Sequence, residues 1–192
     1  GNLLDHHKIK EVLKRFYGIV VIDEAYIDFA KSKSFVQELD SCPNLVVLQT
    51  FSKAWGLAGL RLGMCFASPE IIRILNKIKY PYNVNIRTQE LALDALEKEQ
   101  HKNEWVTEIV KQRRKMATAL RKLSITEEVF PSDANFLLVR VKEAFKTYQY
   151  LMDRGIIVRD RSRVSLCFNC LRITVGTPEE NERLVDELER MG

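Results

Sequence analysis

Two short apolar runs, each ending in polar residues, constrain this chain more than any other feature. Gly18-Ile-Val-Val-Ile22 runs into Asp23-Glu24, and Leu45-Val-Val-Leu48 runs into Thr50-Phe-Ser-Lys53. Short continuous runs of this kind read as strands buried on both faces of a parallel sheet. About twenty residues join them, with a helix expected around 32–40, which is the length of a right-handed parallel crossover. Parallel strands place both carboxyl ends at one edge of the sheet. Asp23 and Lys53 are therefore expected to open onto one crevice, the place where open α/β sheets bind ligands.

The remaining pattern extends this α/β reading. Asp5 is a candidate N-cap for a helix over 6–16, with Ile9, Val12, Leu13 and Phe16 at helical spacing. Leu62 to Ala67 reads as a third strand, with Cys65 as a buried thiol inside it. Ser68-Pro69-Glu70 starts a helix that Tyr80-Pro-Tyr-Asn83 breaks. From Arg87 to Leu123 the chain is helical with a joint near 100–103, and its dense charge reads as a solvated face. After Pro131 come a strand (136–141), a helix (143–154), strands at 156–158 and 171–175, and a last helix from Pro178. The expected organisation is a partial α/β layer over 1–85, connecting helices over 86–124 and a small α+β domain over 125–192.

Composition narrows the function classes. Thirty Lys plus Arg against 26 Asp plus Glu leave a net charge of +4, spread rather than striped, which argues against nucleic acid as a partner. No apolar run approaches the roughly 20 residues that span a bilayer, so no membrane is expected. The four cysteines (Cys42, Cys65, Cys167 and Cys170) include one CxxC, but no second pair or nearby histidine completes a zinc site. No metal is expected, and the few cysteines fit a reducing cytoplasm.

Lys53 is the most informative position. It follows a buried strand, while Asp23 ends the preceding one and Arg61 comes eight residues after the lysine. An acid, an amine and a guanidinium at one sheet edge suit pyridoxal phosphate. The lysine can condense with its aldehyde. The aspartate can pair with the pyridine nitrogen and keep it protonated, and the arginine fork matches a phosphate. Tyr26 could hydrogen-bond the ring's phenolic oxygen. Each residue also has a plain alternative: a turn residue for Asp23, solvated surface for Lys53, a structural ion pair for Arg61. A carboxylate metal site from Asp23, Glu24 and Asp28 is disfavoured, because neighbours on a strand point to opposite faces.

Val20-Val-Ile-Asp-Glu-Ala-Tyr26, with Thr50-Phe-Ser-Lys-Ala-Trp-Gly-Leu-Ala-Gly-Leu-Arg-Leu-Gly63, resembles the fold type I aminotransferases, and among them the histidinol-phosphate aminotransferases. Ile-Asp-Phe at 27–29, Pro-Tyr-Asn-Val-Asn at 81–85 and Cys-Leu-Arg-Ile-Thr-Val-Gly-Thr at 170–177 agree with it. The resemblance implies pyridoxal 5'-phosphate as cofactor, held by Lys53, Asp23, Tyr26, Ser52 and Arg61, with Thr50 a weaker candidate. It implies Lys53 as the catalytic lysine, Arg172 as the arginine that holds the acidic group of the substrate, and Arg159 as a second arginine associated with the phosphate of histidinol phosphate. The implied reaction exchanges an amino group between histidinol phosphate and 2-oxoglutarate, in a cytoplasmic homodimer. Threonine-phosphate decarboxylases and other aminotransferases share the lysine, aspartate and arginine pattern.

The family's members are about twice this length. The chain starts at Gly1 without a methionine, and its first residues match the segment just after the family's Asn-Pro-x-Gly turn. The resemblance therefore implies a C-terminal portion with part of the pocket, weakly active or inactive alone, and a sheet with an unprotected edge. A stable folded fragment without catalysis is the alternative of another class.

Overall fold

The computed structural model describes residues 1–192, which form two compact units: Leu4–Trp105, and Val106–Gly192 together with Gly1–Leu3. The first begins with α1 (His6–Arg15), capped by Asp5, whose Oδ1 accepts from the amides of His7 at 2.8 Å and Lys8 at 3.2 Å. The Lys8 and His7 amides hold that carboxyl below its ordinary value.

Strands β1 (Val20–Asp23), β2 (Leu45–Thr50) and β3 (Gly63–Ala67) make a three-stranded sheet in that order. β1 runs parallel to β2 with Asp23 level with Leu48, as the apolar runs imply. β3 returns antiparallel to β2, pairing Gly63 with Thr50. Leu13, Phe35, Leu45 and Val47 form the buried core on one face. The Asn44 side-chain amide ties α1 to the sheet by donating to the carbonyls of Leu13, Phe16 and Gly18.

Three expectations fail here. β1 alternates rather than being buried on both faces: Val21 is 57% exposed, because α1 and the crossover cover only the other side. Cys65 is exposed for a similar reason, since β3 also shows alternate residues to an uncovered side. The crossover holds two 3₁₀ turns, Ile27–Phe29 and Phe35–Glu38, instead of a helix over 32–40. There the Phe35 amide is claimed by Glu24 Oε1 at 2.7 Å, and the Phe35 ring is drawn into the core.

That same Glu24 is 6% exposed and also accepts from Ser34 Oγ at 2.6 Å and Gln49 Nε2 at 2.9 Å. Three donors converge on one buried carboxylate. Glu24→Gln places an amide NH₂ among those donors. It is expected to cost about 1–3 kcal/mol in urea unfolding, because one buried donor loses its acceptor. A change within 0.5 kcal/mol, roughly the scatter of neutral surface substitutions, would contradict this bracing role.

α2 (Pro69–Ile78), α3 (Ile86–Glu97) and α4 (Glu99–Leu120) follow. The joint is at Lys98, earlier than 100–103, where its amide closes a tight turn on Ala95 O. α4 is not solvated all round. Lys102, Gln112 and Arg113 are buried, and Arg113 Nη1 donates to Ala134 O at 2.6 Å. Burial lowers the guanidinium's pKa from its ordinary value. Lys111 Nζ pairs with Glu108 Oε2 one turn earlier, at 3.2 Å. No helix is long and apolar enough to cross a membrane.

The C-terminal unit carries β4 (Thr126–Val129), β5 (Phe136–Val141), α5 (Ala144–Asp153), β6 (Arg159–Asp160), β7 (Cys170–Thr174) and α6 (Pro178–Met191). Its antiparallel sheet has the order β4-β5-β7-β6. β5 alternates as an amphipathic strand should, burying Leu137, Val139 and Val141. Residues 156–158 are not a strand. Gly155, at φ +71°, ends α5, Val158 enters the core, and pairing begins only at Arg159. α6 opens with a capping box between Thr177 and Glu180. Leu171 is fully buried at the centre of this unit's core. Leu171→Ala is expected to lower unfolding free energy by about 3 kcal/mol, read from denaturant midpoints.

Candidate active site

The carboxyl ends of β1 and β2 border a concavity of about 360 Å³, lined by Asp23, Ala25, Leu48, Gln49, Thr50, Ser52, Lys53 and Arg61. The parallel pairing of β1 with β2 brings Asp23 and the loop that leaves β2 after Thr50 to the same edge. Asp23 is exposed, and its Oδ1 accepts from the Ala25 amide at 2.9 Å, which fixes the carboxylate at the strand end. Tyr26 lies in the same loop, and Lys53 Nζ stands 5.2 Å from its ring centroid.

The loop after β2 is closed on itself. Thr50 Oγ1 accepts from the Ser52 amide at 3.0 Å and donates to Leu62 O at 3.3 Å. The Phe51 amide donates to Leu62 O and the Leu57 amide to Phe51 O. Phe51 is buried and packs on Trp55, with ring centroids 5.5 Å apart. Lys53 thus projects from a turn anchored on both sides. Of the glycines before Arg61, only Gly56 has positive φ, at +68°. Arg61 itself takes the left-handed conformation, φ 53° and ψ 38°, with Nη1 donating to Ala58 O at 2.9 Å. A non-glycine residue held there costs on the order of 1 kcal/mol and recurs at functional sites.

The three carboxylates weighed as a metal site go to three different places. Asp23 faces the concavity, Glu24 is enclosed by its three donors, and Asp28 pairs with Lys102 Nζ at 3.2 Å.

Arg159 and Arg172 belong to the C-terminal unit. They are direct cross-strand partners on β6 and β7. Arg172 Nε is buried without a hydrogen-bond partner, and its guanidinium carbon lies 5.1 Å from the Phe136 ring centroid. Like charges placed opposite each other on paired strands repel, so an anion between them would relieve this pair.

Sequence reasoning missed Gln49, which lines the concavity and braces Glu24. Its position on β2, one residue before the recognised Thr50, is the signal that could have found it.

The sequence model of the class I and II aminotransferases matches residues 1–188. The chain belongs to this family. It is 56% identical over 188 residues to a histidinol-phosphate aminotransferase of Cytophaga hutchinsonii, covering 98% of this chain and 54% of that protein. The chain thus spans about half the length of the curated relatives it matches. Among solved structures, it is similar to histidinol-phosphate aminotransferase from Clostridium acetobutylicum, with TM-score 0.92 and 26% identity, covering 100% of this chain and 60% of that one. Similarity to L-threonine-O-3-phosphate decarboxylase from Porphyromonas gingivalis gives TM-score 0.89 and 26% identity, with the same coverages of 100% and 60%. A histidinol-phosphate aminotransferase from Sinorhizobium meliloti, solved in complex with pyridoxal-5'-phosphate, gives TM-score 0.80 and 27% identity over 90% of this chain and 48% of that one.

Proposed function

We propose that the protein carrying this chain transfers an amino group between histidinol phosphate and 2-oxoglutarate, with pyridoxal 5'-phosphate as cofactor. The observation that carries the reading is the convergence of Asp23, Ser52, Lys53 and Arg61 on one concavity at the strand ends. That donor set is chemically matched to a group with a basic ring nitrogen, an aldehyde and a phosphate. A carboxylate suits the protonated nitrogen, an amine the aldehyde, and a hydroxyl with a guanidinium the phosphate.

When bound, the cofactor supplies an electron-withdrawing ring that stabilises negative charge on the substrate's alpha carbon. Asp23 keeps the ring nitrogen protonated. Tyr26 donates its phenol to the ring oxygen. Ser52 and Arg61 bind the phosphate, with Thr50 holding the Ser52 amide in place. Lys53 would hold the cofactor's aldehyde, and its amine would take up and return the proton at the substrate's alpha carbon. Proximity would contribute most to that proton transfer, because the amine is tethered to the turn that follows β2. Arg172 and Arg159 bind the acidic groups of the substrates. The orphaned Arg172 Nε and the facing positions of the two arginines support an anion there.

Residues 1–85 are the proposed share of the cofactor-binding domain, 86–124 the connecting helices, and 125–192 the small domain. The whole protein is proposed to work as a homodimer in the cytoplasm, with small molecules as its partners. The 192 residues alone are proposed to turn over little or nothing.

The structural likeness to a threonine-phosphate decarboxylase supports a second reading on the same site. Sequence favours the first, at 56% identity to a histidinol-phosphate aminotransferase. Assays on the full-length protein separate them. Glutamate consumed or formed with the histidinol-phosphate pair supports the transfer. Carbon dioxide released from threonine phosphate, without amino transfer, overturns it.

A further inference from the structure

We infer that Lys102 is a positioning residue that clips together the two loops carrying Tyr26 and Lys53. The inference rests on the proposed roles of those two residues. Lys102 lies in α4 and is only 8% exposed. A lysine is rarely so buried unless its charge is matched. Its Nζ is 3.2 Å from Asp28 Oδ1 and 5.0 Å from the Trp55 ring centroid.

Those two contacts belong to different loops. Asp28 comes two residues after Tyr26, in the turn that follows β1, and Trp55 comes two residues after Lys53, in the turn that follows β2. Lys53 Nζ and the Tyr26 ring face each other, at 5.2 Å, from these same two turns. One ammonium group thus holds a carboxylate on one side and an aromatic face on the other, and fixes the spacing of the loops between them. Glu99 also approaches Lys102 Nζ, at 3.6 Å, but it sits on the same helix and its side chain is 64% exposed. An exposed pair one turn away on one helix contributes little and joins no loops.

The alternative is that Lys102 merely anchors α4 on the unit, which would affect stability and leave the site alone. The test uses the full-length protein. Pyridoxal 5'-phosphate is titrated into the cofactor-free form of each variant, and the unfolding midpoint of each cofactor-free form is recorded beside it. Lys102→Met is expected to weaken cofactor binding about tenfold, the size typical of neighbours coupled through shared contacts. Asp28→Asn is expected to weaken it about as much, and the double variant no more than the worse single one, because both remove the same clip. Lys102→Arg, which keeps the charge and stacks on the indole, is expected to stay within about threefold of wild type.

Wild-type affinity in Lys102→Met and Asp28→Asn, with lowered unfolding midpoints, overturns the inference in favour of a plain anchor. Losses that multiply in the double variant also overturn it. Should Lys102→Met fail to fold, Asp28→Asn and Lys102→Arg decide by the same criteria. A wild type that captures no cofactor on Lys53 overturns the underlying functional reading, and this inference with it. Unchanged affinity in the variants, beside a wild type that does capture cofactor, overturns the role of Lys102 alone.

Discussion

Lys53→Ala in the full-length protein is expected to abolish amino transfer, lowering kcat by about 10⁴-fold or more. Alanine removes both proposed functions at once, the amine that binds the aldehyde and the base that moves the proton, and the second alone is worth roughly 10²–10⁴ in rate. The loss is not one of folding. The loop that carries Lys53 is closed by hydrogen bonds through Thr50, Phe51, Leu57 and Leu62, and none of them uses the lysine side chain. Lys53 is itself exposed, so its truncation opens no buried cavity. Unfolding midpoints of the variant and wild type should agree while the rates diverge. A variant retaining more than about a hundredth of the wild-type rate, below the smallest gain expected of a positioned base, contradicts the assignment.

Asp23→Asn is expected to reduce kcat by about 10²–10³-fold, the size of effect seen when one preorganised electrostatic partner is removed. The substitution is close to isosteric. Its side-chain carbonyl still accepts from the Ala25 amide, as Oδ1 does at 2.9 Å, so the strand end keeps its shape. What disappears is the negative charge proposed to keep the ring nitrogen protonated. Cofactor can still be captured by Lys53, so binding should survive while turnover falls. Steady-state rates at saturating substrates, with absorbance to verify bound cofactor, separate the two quantities. A drop smaller than about tenfold would show that Asp23 is a turn residue and no more.

The strand ends were legible because an apolar run that stops abruptly at a charged residue marks both the strand and the edge it opens onto. Asp23 and Lys53 were found in this way, and their common concavity follows from the parallel pairing of β1 and β2. Arg61 was found by its spacing, but its own left-handed backbone was not, because that conformation is usually written with glycine. Glu24 was harder. Beside Asp23 it reads as a second surface acid, whereas it turns inward to accept from Ser34, Phe35 and Gln49, residues brought near only by the crossover.

Burial is not legible where it depends on neighbours rather than on the residue itself. Val21 and Cys65 are apolar enough for a core but lie on a sheet face that these elements leave open. β4 was missed because Glu127 and Glu128 mask a strand in which only Val129 is buried. The Lys102 contact with Asp28 spans 74 residues, and no local pattern predicts a pairing at that distance.

Lys53 is the proposed residue of cofactor capture. Its most direct test is borohydride reduction of the full-length protein after pyridoxal 5'-phosphate is added, followed by peptide mapping. The cofactor is expected to be fixed on the peptide containing Lys53 and on no other, with the visible absorption of the bound form lost on reduction. Label on a different lysine, or none at all, would contradict it.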